Sequence, residues 1–145
     1  MVTMSVITWS DVAGRVDGAG LAHVSTVGRD GNPHIAIVFA VREGNSFTFT
    51  MRTKSGKARN LYENPRAAFM WQGNSAETYV WGKVETLDEP KEKQRVWSEG
   101  FFPFDLASFY GSVDSPDWLV GRFLPERATI IVQSSGGLDR MTWTA

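Results

Sequence analysis

Residues 46–64 read Ser-Phe-Thr-Phe-Thr-Met-Arg-Thr-Lys-Ser-Gly-Lys-Ala-Arg-Asn-Leu-Tyr-Glu-Asn, and Pro65 follows. Two periods meet in this stretch. Up to Thr53 the side chains alternate: Phe47, Phe49 and Met51 fall on one face, and Thr48, Thr50 and Arg52 on the other. That is a strand with one face in a core and one polar face. From Ser55 onward Ala58, Leu61 and Tyr62 recur at helical spacing, and Pro65 stops the pattern. The stretch therefore predicts a strand over 46–53 feeding a helix over 55–64.

Strands dominate on both sides of it. Residues 21–27 and 34–41 are apolar and β-branched, and Arg29-Asp30-Gly31-Asn32 between them has turn chemistry, with Gly31 free to take positive φ. Glu43-Gly44-Asn45 is a second turn, so 21–53 predicts a three-stranded meander. Further strands are expected over 66–72, 78–87 and 129–133, and the tail from Gly136 reads as a short strand or a loose end. A short helix over 9–17, with Ser10 as N-cap, precedes the meander, and a second helix begins around Asp88-Glu89-Pro90 and runs to about Glu99. Residues 101–118 are aromatic and irregular. Many antiparallel strands with few helices predict a mainly β, closed barrel within one domain spanning residues 1–145.

The second strand differs from its neighbours. Ile35, Ile37, Phe39 and Val41 form a bulky face; His34, Ala36, Val38 and Ala40 form a small one. Both read as buried. A barrel interior covers only one, which leaves the small face to meet a helix, a second subunit or a planar ligand.

Composition narrows the function classes. The chain has 145 residues, 42% of them hydrophobic, a net charge of −1, and no cysteine. A near-neutral charge argues against a general nucleic-acid binder or a basic membrane-surface protein. The lack of cysteine removes disulfides, thiolate zinc sites and thiol catalysis. No run is long and apolar enough for a membrane helix and no signal-peptide layout opens the chain, so a cytoplasmic location is expected. Six tryptophans and nine phenylalanines either fill a core or wall a pocket for a flat ligand.

Charge is unusually placed at the start of the 55–64 helix, where Arg52, Lys54, Lys57 and Arg59 cluster. A helix N-terminus carries partial positive charge and free N–H groups, so each cation there costs about 0.3–1 kcal/mol. A bound anion reverses that cost. Ser55 offers a hydroxyl, Gly56 a close backbone approach and Lys57 a charge, which are the parts of a phosphate site. A solvated basic loop is the other reading of the same residues. Elsewhere, His23 and His34 are too few for a metal site, and no metal is expected. Helix-terminal and solvated-face roles account for Asp88, Glu89, Glu92 and Glu99.

In order along the chain, His23-Val24-Ser25-Thr26-Val27, the turn Asp30-Gly31-Asn32-Pro33, the apolar second strand, Ser55-Gly56-Lys57-Ala58-Arg59-Asn60-Leu61, Glu63-Asn64-Pro65-Arg66-Ala67-Ala68 and Trp81-Gly82-Lys83-Val84-Glu85 resemble the pyridoxamine 5'-phosphate oxidase-like, FMN-binding split-barrel superfamily. The later Asp88-Glu89-Pro90, Phe101-Phe102-Pro103 and Pro116-Asp117-Trp118-Leu119 look like its general-stress-protein branch. The resemblance implies a six-stranded antiparallel split barrel that dimerises with FMN at the subunit interface. The phosphate would sit on Arg52, Ser55 and Lys57, and Thr50 and Met51 would contact the ribityl chain and phosphate. The ring would run along His34, Ala36 and Val38, and Trp71 and Gln72, closing the fourth strand, would lie within reach of the cofactor from either subunit.

The chain also departs from that pattern. Its second strand lacks the basic residues of the pyridoxamine-phosphate oxidases, and Arg140 alone does not reproduce their Arg-rich C-terminal segment, so vitamin B6 oxidation is not expected. A neighbouring branch binds a deazaflavin, the F-420 coenzyme, and its helix start resembles Lys57 to Leu61 equally well. The expected function is hydride transfer between FMN, or the deazaflavin, and a small organic substrate. A non-catalytic flavin-binding protein is the rival. No side chain stands out as an acid or base, and none is assigned.

Overall fold

The computed structural model describes residues 2–145. Among them lie nine strands and four helices: β1 (Val2–Val6), α1 (Trp9–Val16), β2 (Ala22–Val27), β3 (Pro33–Val38), β4 (Val41–Glu43), β5 (Ser46–Arg52), α2 (Gly56–Glu63), β6 (Arg66–Gly73), β7 (Ala76–Leu87), α3 (Pro90–Trp97), α4 (Ala107–Tyr110), β8 (Trp118–Ser134) and β9 (Gly137–Thr144). The count is nine strands where six were expected. The tail forms a full strand on β8, and β1 joins it in parallel, Val2 opposite Leu138 through Val6 opposite Thr142.

The sheet runs β1-β9-β8-β7-β6-β2-β3, with β5 on β8 and β4 on β5. β8 organises it. Its first half pairs β5, its second half pairs β9, and β7 lies along nearly its whole length. The register of β7 on β8 shifts between Trp81 and Gly82, where a Cβ on Gly82 would overlap the backbone of Leu124. A glycine at a bulge lets the two backbones approach and the long strands bend.

The expected single strand over 34–41 is two strands. The chain leaves the sheet at Phe39 and Ala40, so β3 stays on β2 whereas β4 pairs β5. No ladder joins β3 to β5, and the sheet is open there. Beyond Thr48, β5 has no strand neighbour on the side away from β8, leaving the edge of Phe49 to Arg52 unpaired.

The alternation in β5 holds on its apolar face. Phe47, Phe49 and Met51 are each 0–1% exposed. They join Val24, Phe69, Trp71, Val80, Phe123 and Ile130 in the main core, with Phe69 and Phe123 stacked at 4.1 Å and 13°. On the opposite face Thr48 is buried as well, and Glu43 accepts its hydroxyl proton at 2.6 Å. A second cluster gathers Val96, Phe102, Leu106, Trp118 and Val120. Four consecutive residues, Trp118 to Gly121, are buried because β8 has a core on each face there.

β3 differs from expectation. Its small face turns inward, but Ile35 and Ile37 on the bulky face are 69% and 57% exposed. β3 is the end strand of the sheet, and no described strand pairs with its outer edge. The first helix is capped by Thr8 rather than Ser10, in a reciprocal box with Asp11. No described helix is long and apolar enough to cross a membrane.

Candidate functional site

The site lies where the sheet fails to close. The open ends of β3 and β5 leave a pocket of about 430 Å³, lined from one side by Leu21, Ile37, Val38 and Phe39 and from another by Thr50, Met51, Arg52, Ser55 and Lys57. Phe104, Phe109 and Tyr110 complete it. Its charge lies at one end only, and the remaining walls are mostly apolar or aromatic.

The charged end is built by the turn between β5 and α2. Ser55 is the N-cap of α2: its Oγ accepts from the amide of Ala58 at 3.2 Å and donates to the carbonyl of Arg52 at 2.8 Å. That bond ties the strand end to the helix start, and it commits the hydroxyl proton expected to meet a ligand. The amides of Gly56 and Lys57, in the first helical turn, have no acceptor among the described residues. Gly56 has a packing reason to be glycine. A Cβ there would come 2.9 Å from Nε2 of His34, whose ring lies against the helix start.

Of the four clustered cations, Arg52 and Lys57 line the pocket, while Lys54 and Arg59 point to solvent. Lys57 is half-buried, and burial followed by the charge of Arg52 pushes its ammonium below the ordinary lysine value. Among the described residues no carboxylate forms an ion pair with either Arg52 or Lys57. Two neighbouring cations, one of them desolvated and neither paired, make an arrangement that an oxyanion completes.

The aromatic residues of the pocket come from the irregular 101–118 segment. Tyr110 donates its hydroxyl proton to Oγ1 of Thr50 at 2.9 Å, and burial raises its phenol above the ordinary tyrosine value. Phe104 packs edge-on against Phe39 at 6.0 Å and Phe109 at 5.4 Å.

Six of the ten residues expected at the site thus meet in one pocket: Val38, Thr50, Met51, Arg52, Ser55 and Lys57. The other four lie elsewhere. His34 packs against the start of α2 at Gly56, with its Nδ1 buried and unpaired, and does not line the pocket. Ala36 shares the inward face of β3 but does not line the pocket. Trp71 is 2% exposed in the main core, 4.8 Å from Phe47. Gln72 lines a separate depression with Gly73 and Glu77. Sequence reading missed Leu21, Ile37, Phe39, Phe104, Phe109 and Tyr110. The density of aromatic residues over 101–118 was a signal, but nothing local says that this segment returns to β5.

Of the acidic residues singled out in the sequence, Glu92 has ion-pair partners. Arg95 pairs with Glu43 and Glu92, each at 2.7 Å, and Arg122 pairs with Glu92. No group of three or more His, Asp or Glu residues able to hold a metal ion occurs among the described residues.

These features define a class: an open, mainly antiparallel sheet with a one-sidedly cationic pocket at its unpaired edge. Residues 11–105 match the family model for pyridoxamine 5'-phosphate oxidase, and the chain belongs to that family. Comparison with curated proteins found no match. Among solved structures, a protein related to general stress protein 26 from Clostridium acetobutylicum superposes with a TM-score of 0.73 at 18% identity, covering 94% of this chain and 91% of its own. A pyridoxamine 5'-phosphate oxidase-related, FMN-binding protein from Nostoc punctiforme gives 0.67 at 16%, covering 91% and 85%. An F-420 reductase gives 0.62 at 21%, covering 80% and 94%. At these identities the likeness is one of fold.

Proposed function

We propose that the chain binds FMN at the open edge between β3 and β5 and serves hydride transfer to or from a small organic substrate. The observation that carries this reading is the desolvated, unpaired Lys57 beside Arg52 at the start of α2. The phosphate would lie on Arg52, Lys57 and the free amides of Gly56 and Lys57, with Ser55 holding the turn. The ring would occupy the apolar part of the pocket, against Val38 and Ile37 on one side and Phe104 and Phe109 on the other. A bound flavin supplies the hydride chemistry; the chain supplies binding, orientation and exclusion of water. Ile37 both lines the pocket and belongs to the uncovered face of β3, which supports a homodimer with its site at the subunit boundary.

The deazaflavin is the second cofactor reading, favoured by the helix start Lys57 to Leu61 and by the likeness in fold to an F-420 reductase. The test is the absorption spectrum and mass of whatever copurifies, followed by titration of the cofactor-free protein with each cofactor. Each reduced complex is then mixed anaerobically with quinone and enone acceptors. FMN binding with hydride transfer supports the proposal, and exclusive deazaflavin binding replaces the cofactor. Binding without transfer to any acceptor favours a flavin-binding protein without catalysis, and failure to bind either defeats the site.

A further inference from the structure

Arg52 stands at the end of an open strand on a long, exposed side chain. Such a side chain has many rotamers and contributes little to an anion unless something holds it. Two contacts do. Its Nη2 donates to the carbonyl of Phe109 at 2.9 Å, and its guanidinium lies 5.4 Å from the centroid of the Tyr110 ring. The contacts then continue away from the pocket. Tyr110 stacks on Trp118 at 5.1 Å and 12°. Trp118 is 1% exposed, donates its indole N–H to the carbonyl of Ser112 at 3.2 Å, and has Nζ of Lys93 4.6 Å from its ring centroid. Lys93 donates to the carbonyl of Ser115 at 2.7 Å.

The last member is the unexpected one. Lys93 is 7% exposed, and no carboxylate forms an ion pair with it among the described residues. Asp88 and Asp114, which share a depression with it, act on its charge only from beyond that distance. A buried ammonium is costly unless its environment compensates, and an apolar side chain of the same length would fill the space without that cost. What the ammonium adds is direction: one donor to Ser115 and a cation on the face of Trp118. Trp118 opens β8 and pairs opposite Arg52 in the β5–β8 ladder, so its backbone is held by the sheet. Residues 111–117 form neither helix nor strand, and it is this loop between Tyr110 and Trp118, with the orientation of the indole, that the bonds to Ser112 and Ser115 fix.

We propose that Lys93 is a positioning residue for the anion site, acting through Trp118 and Tyr110 to hold Arg52 toward the pocket. The proposal rests on the phosphate site above. Neither Lys93 nor Trp118 lines that pocket; the contacts reach it at Tyr110 and Arg52, and Arg52 is the charged one.

The test is a double-mutant cycle on cofactor-free protein, read by FMN titration, with thermal melting of each variant. Lys93→Met keeps the aliphatic stem and removes the donor. It is expected to weaken FMN by about fivefold to tenfold, the range of a contact-coupled pair. Lys93→Arg, which still donates and still carries charge, recovers most of the affinity. In the Arg52→Ala background Lys93→Met changes the affinity by less than about twofold, because the residue it positions is gone. A merely structural role predicts the same fold loss with and without Arg52. That result overturns the proposal, as does an unchanged affinity for Lys93→Met alone. Lys57→Ala is titrated in parallel. If Lys57→Ala is silent, the phosphate site itself is wrong; if it weakens binding and Lys93→Met does not, only the positioning role falls. Should Lys93→Met fail to fold, Tyr110→Leu interrupts the same chain of contacts one step closer to Arg52. Tyr110 also lines the pocket, so for this variant the expectation is a loss that shrinks, without vanishing, in the Arg52→Ala background; an equal fold loss with and without Arg52 overturns the proposal.

Discussion

Lys57 is half-buried beside Arg52, with no carboxylate in ion-pair distance among the described residues. Burial and Arg52 both disfavour its charge, so the folded ammonium lies below its ordinary value of 10.5. A group depressed in this way binds more protons unfolded than folded, and stability without ligand therefore rises with pH in the window below 10.5. Anion binding has the opposite sign. It favours the charged form, so affinity for FMN should fall as pH rises through the depressed value, before ordinary lysines titrate. Titrations from pH 7 to 10 would reveal this fall, and Lys57→Arg should flatten it while keeping the charge. Lys57→Ala should weaken FMN by about 1.5–3 kcal/mol, the scale of one charge-assisted hydrogen bond. Equal affinity in wild type and Lys57→Ala would remove Lys57 from the site. Gly56 and His34 form a second residue-scale pair. Gly56→Ala forces a methyl to 2.9 Å from the imidazole, and overpacking of this kind costs about 1–3 kcal/mol. Chemical denaturation should show that loss, and adding His34→Ala should recover part of it.

Among the elements, α2 and α3 are held by different means. α2 depends on its cap: Ser55 satisfies the amide of Ala58 and ties down Arg52, so Ser55→Ala should cost about 0.5–2 kcal/mol in denaturant unfolding. It should also weaken the cofactor, although Ser55 need not touch it. α3 is held through Arg95, which bridges Glu92 on its own helix and Glu43 on β4. Hydrogen bonds from Arg95 are the largest cause that keeps both carboxyls below their ordinary value of 4.5. Their stabilisation is present above that value and is lost as pH falls through it toward the depressed folded values. Melting temperatures measured from pH 7 down to pH 3 should therefore drop in acid, and Glu43→Gln should make the drop shallower. A slope identical in Glu43→Gln would mean that the bridge contributes nothing.

On the scale of the whole molecule, the face left by Ile35 and Ile37 needs a cover, and a two-fold dimer across it is the arrangement the proposed site favours. Ile35 is the better probe because it is 69% exposed and does not line the pocket. Ile35→Asp should yield a folded monomer of 16.1 kDa by sedimentation at micromolar concentration, with weakened cofactor binding. A wild-type monomer that binds FMN tightly would instead place the whole site within one chain.

The β2–β3 hairpin, the strand-to-helix passage at 46–64 and the cationic start of α2 were legible because each is local, whereas the three-stranded meander was not formed: β3 stays on β2, and β5 pairs β4 and β8. Alternation in β5 reports which side chains face the core, and Pro65 ends a helix wherever it folds. The break at Phe39 and Ala40 was not legible. An apolar run reads as one strand, and only competition between β2 and β5 for partners divides it. Trp71 was misplaced for a related reason: its position at the end of a strand suits either a pocket or a core, and the neighbours Phe47 and Phe69 draw it inward. β1 and the length of β8 likewise escaped notice, and β9 was read only as a short strand or a loose end, since strands at a sheet end depend on pairing with distant partners. The sequence by itself determined the class of fold and the charge of the site. The tertiary structure decided which aromatic residues wall the pocket and which cations face it, because those contacts join β5 to a segment some sixty residues away, as in the bond from Tyr110 to Thr50. No local pattern encodes such a meeting.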